Sequence, residues 1–363
     1  MKITFPHFGD AYIAISLVCK EMDVECVVPP LNNIATLERG TKYSPEDICL
    51  PFKVMVGNLM NSIDNGADTV AMVSSDGQCR LGEYGELLKS ILDKNGYHAR
   101  WILLDAVGDI GIKELLKRGE SIWEGRKKSG LELLKALKDI YKVIKSIEHL
   151  EEKVHELCGY AVNPSDFKRI LYDCKSKVFN SKSIAEANTV LENYHKKINK
   201  IPLNREKNPV KVVLTGEIYS LIEPFANQYL EDKLIDMGVC FSKKITIGWW
   251  LDTTITGHFK RMREIKRKNG YLNYAIGGYA KDTVEEVIEA KTKDYDGVIQ
   301  LLPLGCMPEI VAKSIISEMS KEIGMKVLTI VFDEMNGEAG YMTRIEAFID
   351  MLQRRKQYVL YGH

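Results

Sequence analysis

Three of the cysteines, Cys49, Cys79 and Cys306, share a sequence context that could make each thiol reactive or metal-binding. Cys49 and Cys306 each stand two residues before a proline that leads into a predicted helix, and Cys79 follows a glycine-containing turn before another helix. Proline is tolerated in a first helical turn because the N–H that it lacks would have no partner within the helix. The partial positive charge and free N–H groups of a helix start favour a thiolate, the form that metal ions and clusters bind.

Two of these cysteines occupy equivalent positions in an internal repeat, whose copies are residues 68–105 and residues 296–333. Each copy contains a hydrophobic strand, a turn with glycine and one cysteine, an amphipathic helix ending at glycine, and a second strand ending in aspartate. Cys79 and Cys306 are therefore predicted to lie beyond the carboxyl end of a parallel strand. Ligands bind at that edge in open α/β sheets.

The other five cysteines fall within predicted helices or strands, and we interpret them as small buried packing residues. They are Cys19, Cys26, Cys158, Cys174 and Cys240. The N-terminal sequence has no basic region followed by an apolar run, and no apolar stretch reaches the roughly 18 residues that a membrane span requires. We therefore expect a cytoplasmic protein without a membrane partner, whose eight cysteines are not paired as disulfides.

Spacing alone does not identify a metal. The chain has no Cys-x-x-Cys, so the usual zinc-finger and ferredoxin patterns are absent. The three candidate ligands are far apart in the sequence, which requires a site assembled between domains. Three thiolates could hold a cubane cluster with one iron left for another ligand, or a zinc ion with one open position.

The elements that must position these thiols alternate between strand and helix in about the first hundred residues and again from residue 210, which predicts parallel sheets covered on both faces. The segment between is rich in Leu, Ile, Lys and Glu at helical spacing and predicts a hairpin or small bundle. We expect two Rossmann/flavodoxin-like parallel-sheet domains with a helical insert. Residues 1–108 would carry Cys49 and Cys79, residues 109–207 would form the helical block, and residues 208–363 would carry Cys306.

Individual elements follow from the same patterns. Strands are predicted at residues 2–5, 24–28, 69–73, 100–104, 210–215, 298–302 and 327–332, and one within residues 239–247. Helices are predicted at residues 11–22, 54–63, 81–92, 131–157, 224–237, 283–290, 308–323 and 343–352, and residues 166–198 are also expected to be helical.

Charge and motif content argue against two classes of function. Lys and Arg together number 50, as do Asp and Glu, so the formal net charge is zero. Nucleic-acid binding usually leaves a basic excess, so nucleic acid is not expected as a partner. The chain also lacks the Gly-x-x-x-x-Gly-Lys-Ser/Thr loop of many ATPases.

Six segments resemble the acyl-CoA dehydratase activase-related ("CoA protein activase") family. This family is related to the iron–sulfur subunits of 2-hydroxyacyl-CoA dehydratases, benzoyl-CoA reductases and double-cubane-cluster proteins. The segments are KITFPHFGDAYIA, GTKYSPEDICLPFKVMVGNL, GADTVAMVSSDGQCRLGEYGE, LTGEIYSLIEPFANQYLEDKLIDMGV, DGVIQLLPLGCMPEIVAKSI and FDEMNGEAGYMTRIEAFIDML. They cover both α/β halves, whereas the middle helical block carries little of the resemblance.

The resemblance implies a cubane, 4Fe–4S or double-cubane in type, held by Cys49, Cys79 and Cys306. It also implies that an ATP-hydrolysing activase supplies low-potential electrons. The chain departs from the family pattern around the second cysteine, where Gly-Pro-Cys-Arg-Phe-Gly-Tyr-Tyr is usual and residues 77–84 read Gly-Gln-Cys-Arg-Leu-Gly-Glu-Tyr. It departs again at Tyr279, where a histidine is common. The departures affect the polar surroundings but not the cysteine ligand.

Other polar residues could serve this site. His7 could donate a proton or a hydrogen bond to cluster sulfide, or be a turn histidine. Arg80 could stabilise cluster charge or lie at the surface. Glu309 could be part of the cluster surroundings or interact with the dipole of its own helix. Glu338 could be a general acid, a ligand near the metal or an interdomain hydrogen-bonding group.

Glu217 and Glu223 follow a predicted strand and invite the same interpretation as Glu338. Together these features favour an oxygen-sensitive iron–sulfur redox protein that works with the activase on a small substrate such as a CoA thioester, in a homo- or heterodimer. Two alternatives stay open. One is a non-catalytic cluster carrier or assembly subunit, and the other is a zinc enzyme that uses the same thiols.

Overall fold

The computed structural model describes residues 1–73, 79–104, 111, 113–114, 117–119, 121–122, 130–253, 269–274, 276–334 and 338–361. Within these ranges the side chains of residues 130, 131, 133, 134, 338, 339 and 359–361 are outside the description. The chain forms two four-stranded parallel sheets with helices around them.

The first sheet has the strand order β2-β1-β3-β4. Its strands are β1 (Lys2–Thr4), β2 (Glu25–Cys26), β3 (Thr69–Val73) and β4 (Arg100–Leu104). Its helices are α1 (Ala11–Glu21), α2 (Ile34–Tyr43), α3 (Leu50–Asp64) and α4 (Tyr84–Lys94). β1 is central, since Ile3 pairs with Cys26 on one side and Thr69 on the other.

Helices α2 and α3 approach each other more closely than side chains would allow. A Cβ added at Gly40 would lie 1.7 Å from the carbonyl oxygen of Lys53, and one at Gly57 would lie 1.9 Å from that of Thr36. Glycine is thus required at both positions for backbone-to-backbone packing. Our sequence interpretation had no helix at α2.

Three helices follow the first sheet: α5 (Gly130–Leu157), α6 (Ser165–Asn180) and α7 (Ile184–Ile198). Along α5, Val143, Ile147, Leu150 and Val154 are all buried. This spacing of three to four residues produces a single apolar face, as expected for a helix that packs on one side. Helix α5 contacts α1, α6 and α7, so the helical block packs against the first sheet's helices.

The second sheet has the strand order β6-β5-β7-β8, the same pattern as the first. Its strands are β5 (Lys211–Gly216), β6 (Cys240–Lys243), β7 (Gly297–Pro303) and β8 (Val327–Phe332). Its helices are α8 (Ile218–Ile222), α9 (Leu230–Asp236), α10 (Ile247–Leu251), α11 (Ala280–Thr292), α12 (Met307–Ile323) and α13 (Glu338–Tyr361). Every residue of β7 is buried, which is typical of a central parallel strand covered on both faces.

The predicted fold class is confirmed, because both sheets are parallel and share a flavodoxin-like strand order. One predicted helix was wrong in its first part. Residues 224–237 were expected to be helical throughout, but α9 begins only at Leu230. Gln228 and Tyr229 have φ values of +55° and +59°, a left-handed conformation that a helix does not continue through.

The helices were also searched for membrane spans. Among the described residues, no helix combines the length and apolar character that crossing a bilayer requires.

Candidate metal centre

All three candidate cysteines stand immediately before a helical segment. Cys49 is the N-cap of α3 and Cys306 is the N-cap of α12, each in an extended backbone conformation with proline in the first turn. Cys79 has the same backbone conformation but begins a short 3₁₀ turn (Arg80–Glu83), and α4 follows only after it. The expected repeat therefore holds for strand order and cysteine placement, while the helix after Cys79 starts later than predicted.

The turns that carry these cysteines pack against one another. A Cβ added at Gly305 would lie 3.9 Å from the Cα of Cys49, so the turn before α12 touches the start of α3. A Cβ added at Gly278 would lie 3.7 Å from the Cβ of Cys79 and 2.9 Å from Cγ of Pro308. The structure thus brings together two cysteines from the first sheet and one from the second, as the chemistry of a shared site requires.

Burial dominates the acidity of these thiols. Cys49 is 8% exposed and Cys306 is 7% exposed, and Cys79 is partly buried. Burial, with smaller contributions from the nearby charges of Glu217 and Cys79, raises the pKa of Cys49 to about 11. Burial likewise raises the pKa of Cys306 far above its usual range, with contributions from Glu217 and Cys49. Without a bound cation both thiols are protonated at neutral pH.

Tyr84, at the first position of α4, is a residue that sequence reasoning missed. Its hydroxyl group contacts the sulfur of Cys49, and its ring packs edge-on against Phe52 at 4.9 Å. The hydrogen bond to Tyr84 lowers the pKa of Cys49, against the larger effect of burial. A signal was available, because the family pattern around the second cysteine ends in tyrosine at this position.

Two carboxyl groups flank the thiols, that of Glu217 partly buried and that of Glu309 buried. Glu217 caps α8 by accepting hydrogen bonds from the backbone N–H groups of Tyr219 and Ser220, at 2.9 and 2.8 Å. Glu309, in the first turn of α12, is 1% exposed. Burial raises the pKa of Glu217 and raises that of Glu309 to about 7.

The buried carboxyl group of Glu309 has hydrogen-bonding partners for both of its oxygens. Oε1 accepts from the hydroxyl of Thr283 at 3.0 Å, and Oε2 accepts from Nε2 of Gln300 at 3.0 Å. The carboxyl group therefore links α11 and β7 to the start of α12. It can hold or release a proton near neutral pH, three residues from Cys306.

Arg80 connects the two cysteine-bearing turns of the first sheet. Its Nη1 donates to the carbonyl oxygen of Asp47 at 3.1 Å, just before Cys49. Its positive charge lowers the pKa of Cys49, although less than burial raises it. Arg80 thus lies near the thiols while its guanidinium stays on the exposed side.

His7 and Glu223 form a pair of their own. His7 is 2% exposed, and its Nδ1 lies 2.7 Å from Oε2 of Glu223, which also accepts from the N–H of Gly9 at 3.0 Å. Both residues line a cavity, and no cysteine is among its lining residues in the described part of the chain. The side chain of Glu338 and the preceding residues 335–337 lie outside the described part of the chain, as do Gly77 and Gln78.

The donor set agrees in type with a thiolate-held metal or cluster, since three soft ligands come from turns in mutual contact. Among the residues that the structure describes, no group of three or more His, Cys, Asp or Glu side chains is already arranged to hold a metal ion. The cysteine turns therefore carry ligands of a suitable type, whose sulfurs would have to reorient to bind one metal ion or cluster.

Comparison with known families matches residues 132–352 to the family described as 2-hydroxyglutaryl-CoA dehydratase, D-component. The match includes the helical block, which the sequence resemblance had left largely uncovered, and the second sheet with Cys306. It does not reach Cys49 or Cys79. No curated protein matches the chain. Because the match extends over more than half of its residues, the chain belongs to the 2-hydroxyglutaryl-CoA dehydratase D-component family.

Proposed function

We propose that this chain is an iron–sulfur component of a 2-hydroxyacyl-CoA dehydratase-like system. Cys49, Cys79 and Cys306 would hold the cluster, and an ATP-hydrolysing activase would supply its low-potential electrons. The substrate would be a small molecule such as a CoA thioester, which is reduced or dehydrated. The observation that carries the proposal is the packing of three cysteine-bearing turns from two sheets in a member of this family.

The nature of the ligands favours a cluster. Thiolates are the usual ligands of iron–sulfur clusters, and a bound cluster would supply one-electron transfer and an iron with an open coordination position. Burial keeps the thiols of Cys49 and Cys306 protonated when no cation is bound. Loading would therefore release protons, as metal binding to thiols generally does.

Two of the chain's own residues, Tyr84 and Glu309, would support that site, whereas the charge of Glu217 would oppose thiolate formation. The hydroxyl of Tyr84 would donate to the Cys49 thiolate, because burial raises the pKa of Tyr84 far above its usual range and keeps the phenol protonated. Glu309 would hold a proton close to the reaction site. The side chain of Glu217 accepts hydrogen bonds from backbone N–H groups of α8, and its negative charge lies beside the thiols.

A partner that delivers electrons needs a surface near the cluster. Leu304, Met307 and Ile310 lie around Cys306 and are 55%, 39% and 45% exposed. Exposed apolar residues that lie close together are typical of protein contact surfaces. They support docking of the activase beside Cys306.

The decisive experiment is to measure iron and acid-labile sulfide after strictly anaerobic purification. Wild type is compared with Cys49→Ala, Cys79→Ala and Cys306→Ala, and Cys174→Ala is the control because that cysteine is buried in α6. We expect about four irons per cubane in wild type and control, and a loss in each of the three ligand variants. Wild-type protein without iron under these conditions would refute the proposal.

The same preparation separates the two alternatives. Stoichiometric zinc in a colourless protein would identify a zinc enzyme that uses the same thiols. A protein with iron that is reduced by the activase but converts no CoA thioester would instead be a carrier or assembly subunit. Loss of the metal in the three variants, but not in Cys174→Ala, is expected in both cases.

A further inference from the structure

The cavity that His7 and Glu223 line is apart from the cysteines, between the first sheet's helices, the helical block and the loop before α9. Its volume is about 360 Å³. None of the described residues that line it is a cysteine. The cavity is therefore distinct from the candidate metal centre, and its walls require a separate explanation.

The walls of this cavity carry an excess of negative charge. Lys175 and Lys243 line it, together with a larger number of carboxylates. The carboxylates are Asp10, Glu148, Glu151, Glu223, Glu231 and Asp232. Among the described residues that line the cavity there is no arginine, so two lysines face six acids, although Lys145 outside the lining also pairs with Glu148 at 3.7 Å.

Lys175 is shared between two of these acids. Its Nζ lies 2.7 Å from Oδ2 of Asp10 and 2.6 Å from Oε1 of Glu151. Although burial opposes ionisation, Lys175 and Lys243 lower the pKa of Glu151, whereas burial raises the pKa of Asp10. One lysine is thus shared by two carboxylates, Asp10 and Glu151.

The remaining acids differ in how closely a positive charge approaches them. Lys243 and His155 lie 2.5 and 3.2 Å from the two oxygens of Glu231, so this acid is well neutralised. Burial raises the pKa of both Glu148 and Asp232. A cation in the cavity would lower the cost of keeping these carboxylates charged away from bulk water.

The cavity wall also contains a buried nitrogen without a hydrogen-bond partner among the described residues. Nδ1 of His7 lies 2.7 Å from Oε2 of Glu223, and in the neutral tautomer that donates from Nδ1 the other nitrogen, Nε2, has an acceptor lone pair. His7 lines the cavity, and its Nε2 is buried without a hydrogen-bond partner among the described residues. A ligand that carries an N–H donor would satisfy this nitrogen.

Aromatic rings form part of the same lining. The ring of Tyr12 stacks on His7 at 5.1 Å and meets Phe179 edge-on at 5.3 Å, and Phe225 lines the loop side. Aromatic faces beside carboxylates favour organic cations, which gain both electrostatic and apolar contacts. Two consecutive left-handed residues, Gln228 and Tyr229, lie in this loop, and such backbone strain tends to occur at binding sites.

We propose that this cavity binds a small organic cation, in which a protonated amine is attached to an apolar body. An inorganic divalent cation fits less well, because no group of potential metal ligands among the described residues is arranged for one. An anionic group such as a phosphate is disfavoured by the excess of carboxylates. The proposal does not depend on the metal centre and holds for protein with or without a cluster.

Calorimetry on the full chain tests the proposal with three probes of similar shape. Phenethylamine is the cation, 2-phenylethanol is its neutral counterpart and 3-phenylpropanoate is the anion. We expect saturable binding of phenethylamine, about tenfold or more tighter than that of the alcohol, and no binding of the anion. Equal binding of amine and alcohol, or no binding of the amine, would overturn the proposal.

Variants locate the binding. Asp10→Asn removes one negative charge, and Asp10 makes no side-chain capping bond to α1 whose loss would weaken the helix. We expect it to weaken phenethylamine binding about tenfold, whereas Glu192→Gln, an exposed change on α7, has no effect. If Asp10→Asn does not fold, Asp232→Asn at the cavity wall replaces it. Unchanged affinity for phenethylamine in a folded cavity variant would refute an organic-cation site here. Displacement of the amine by Mg²⁺ at concentrations below that of the amine would refute it as well.

Discussion

The hydroxyl of Tyr84 contacts the sulfur of Cys49, and this contact joins the start of α4 to the start of α3. Burial keeps the phenol protonated, since it raises the pKa of Tyr84 far above its usual range. The tyrosine is therefore the donor whenever Cys49 is a thiolate. The contact stabilises the charged sulfur in surroundings that otherwise oppose it.

Replacement of Tyr84 by phenylalanine should make Cys49 less acidic. A hydrogen bond to a charged group contributes about 1.5–3 kcal/mol, and about 1.4 kcal/mol corresponds to one pKa unit. We expect the pKa of Cys49, already about 11, to rise by about one unit or more in Tyr84→Phe. Alkylation of Cys49 by iodoacetamide, followed by mass spectrometry of its peptide, should slow by about tenfold.

The matched control is Tyr97→Phe, because Tyr97 bonds Arg39 rather than a cysteine. It should leave the alkylation rate of Cys49 unchanged. An unchanged or faster rate in Tyr84→Phe would mean that the phenol does not stabilise the thiolate.

Lys53 and Glu334 form an ion pair between α3 and the end of β8. Nζ of Lys53 lies 2.5 Å from Oε1 of Glu334, and the lysine side chain is 2% exposed while the glutamate is 28% exposed. Removing the acid leaves a buried cation without its counter-charge, which is more costly than removing the buried cation and leaving a partly exposed carboxylate. We expect Glu334→Gln to lower the free energy of unfolding by about 2–3 kcal/mol, and Lys53→Met to lower it by about 1 kcal/mol.

Urea denaturation measures both changes in the free energy of unfolding. Glu318→Gln, in an exposed pair with Lys321, should change it by about 0.5 kcal/mol or less. A larger loss for Lys53→Met than for Glu334→Gln would show that packing of the lysine stem, rather than its charge, stabilises this contact.

Local sequence patterns were sufficient for the fold class and for the cysteine turns. Alternating strand and helix signals predicted two parallel sheets, and the proline after Cys49 and Cys306 marked two helix starts that the structure contains. Such signals depend only on neighbouring residues, so they can be interpreted without knowledge of the tertiary fold. The helix after Cys79 was placed too early because a 3₁₀ turn has nearly the same local signature as an α-helix.

Contacts between distant segments could not be predicted in this way. The pairing of His7 with Glu223 joins residues from different sheets, and Glu217 reaches the thiols only because the two sheets meet. Helix α2 was missed because Gly40 within it weakens helical propensity unless close packing against α3 is already known. In each case the determining interaction is tertiary.

Glu286 predicts a pH dependence of stability. Its carboxyl is fully buried between β5 and the segment after β6, where it accepts from the hydroxyl of Thr215, and burial raises its pKa from 4.5 to about 8. The folded protein therefore binds a proton that the unfolded chain releases between these values. This contribution to stability is complete below about pH 4.5 and is lost as the pH rises toward about 8.

Glu286→Gln should flatten that dependence, because glutamine stays neutral at every pH. We expect wild type to lose a few kcal/mol more than the variant between about pH 5 and about pH 8. Urea denaturation at several pH values measures the difference. Parallel curves for the two proteins would indicate that Glu286 is ionised in the folded state throughout this range.

Gly278 offers a way to separate backbone strain from disruption of the metal centre. It has a φ of +56°, and an added Cβ would lie 2.9 Å from Cγ of Pro308 and 3.7 Å from the Cβ of Cys79. Gly324 has a similar φ of +69°, but nothing lies within 4 Å of an added Cβ. Alanine should therefore cost about 1 kcal/mol through strain at either position, whereas only Gly278→Ala should push the cysteine turns apart.

Iron content after anaerobic purification, compared with the free energy of unfolding, distinguishes these effects. If the proposed centre is correct, Gly278→Ala should retain much less iron than Gly324→Ala at equal stability, because only the first change displaces Pro308 from Cys79. Equal iron retention in the two variants would mean that the contact among Gly278, Cys79 and Pro308 does not shape the metal centre. Loss of iron in proportion to stability alone would lead to the same conclusion, since strain is common to both substitutions.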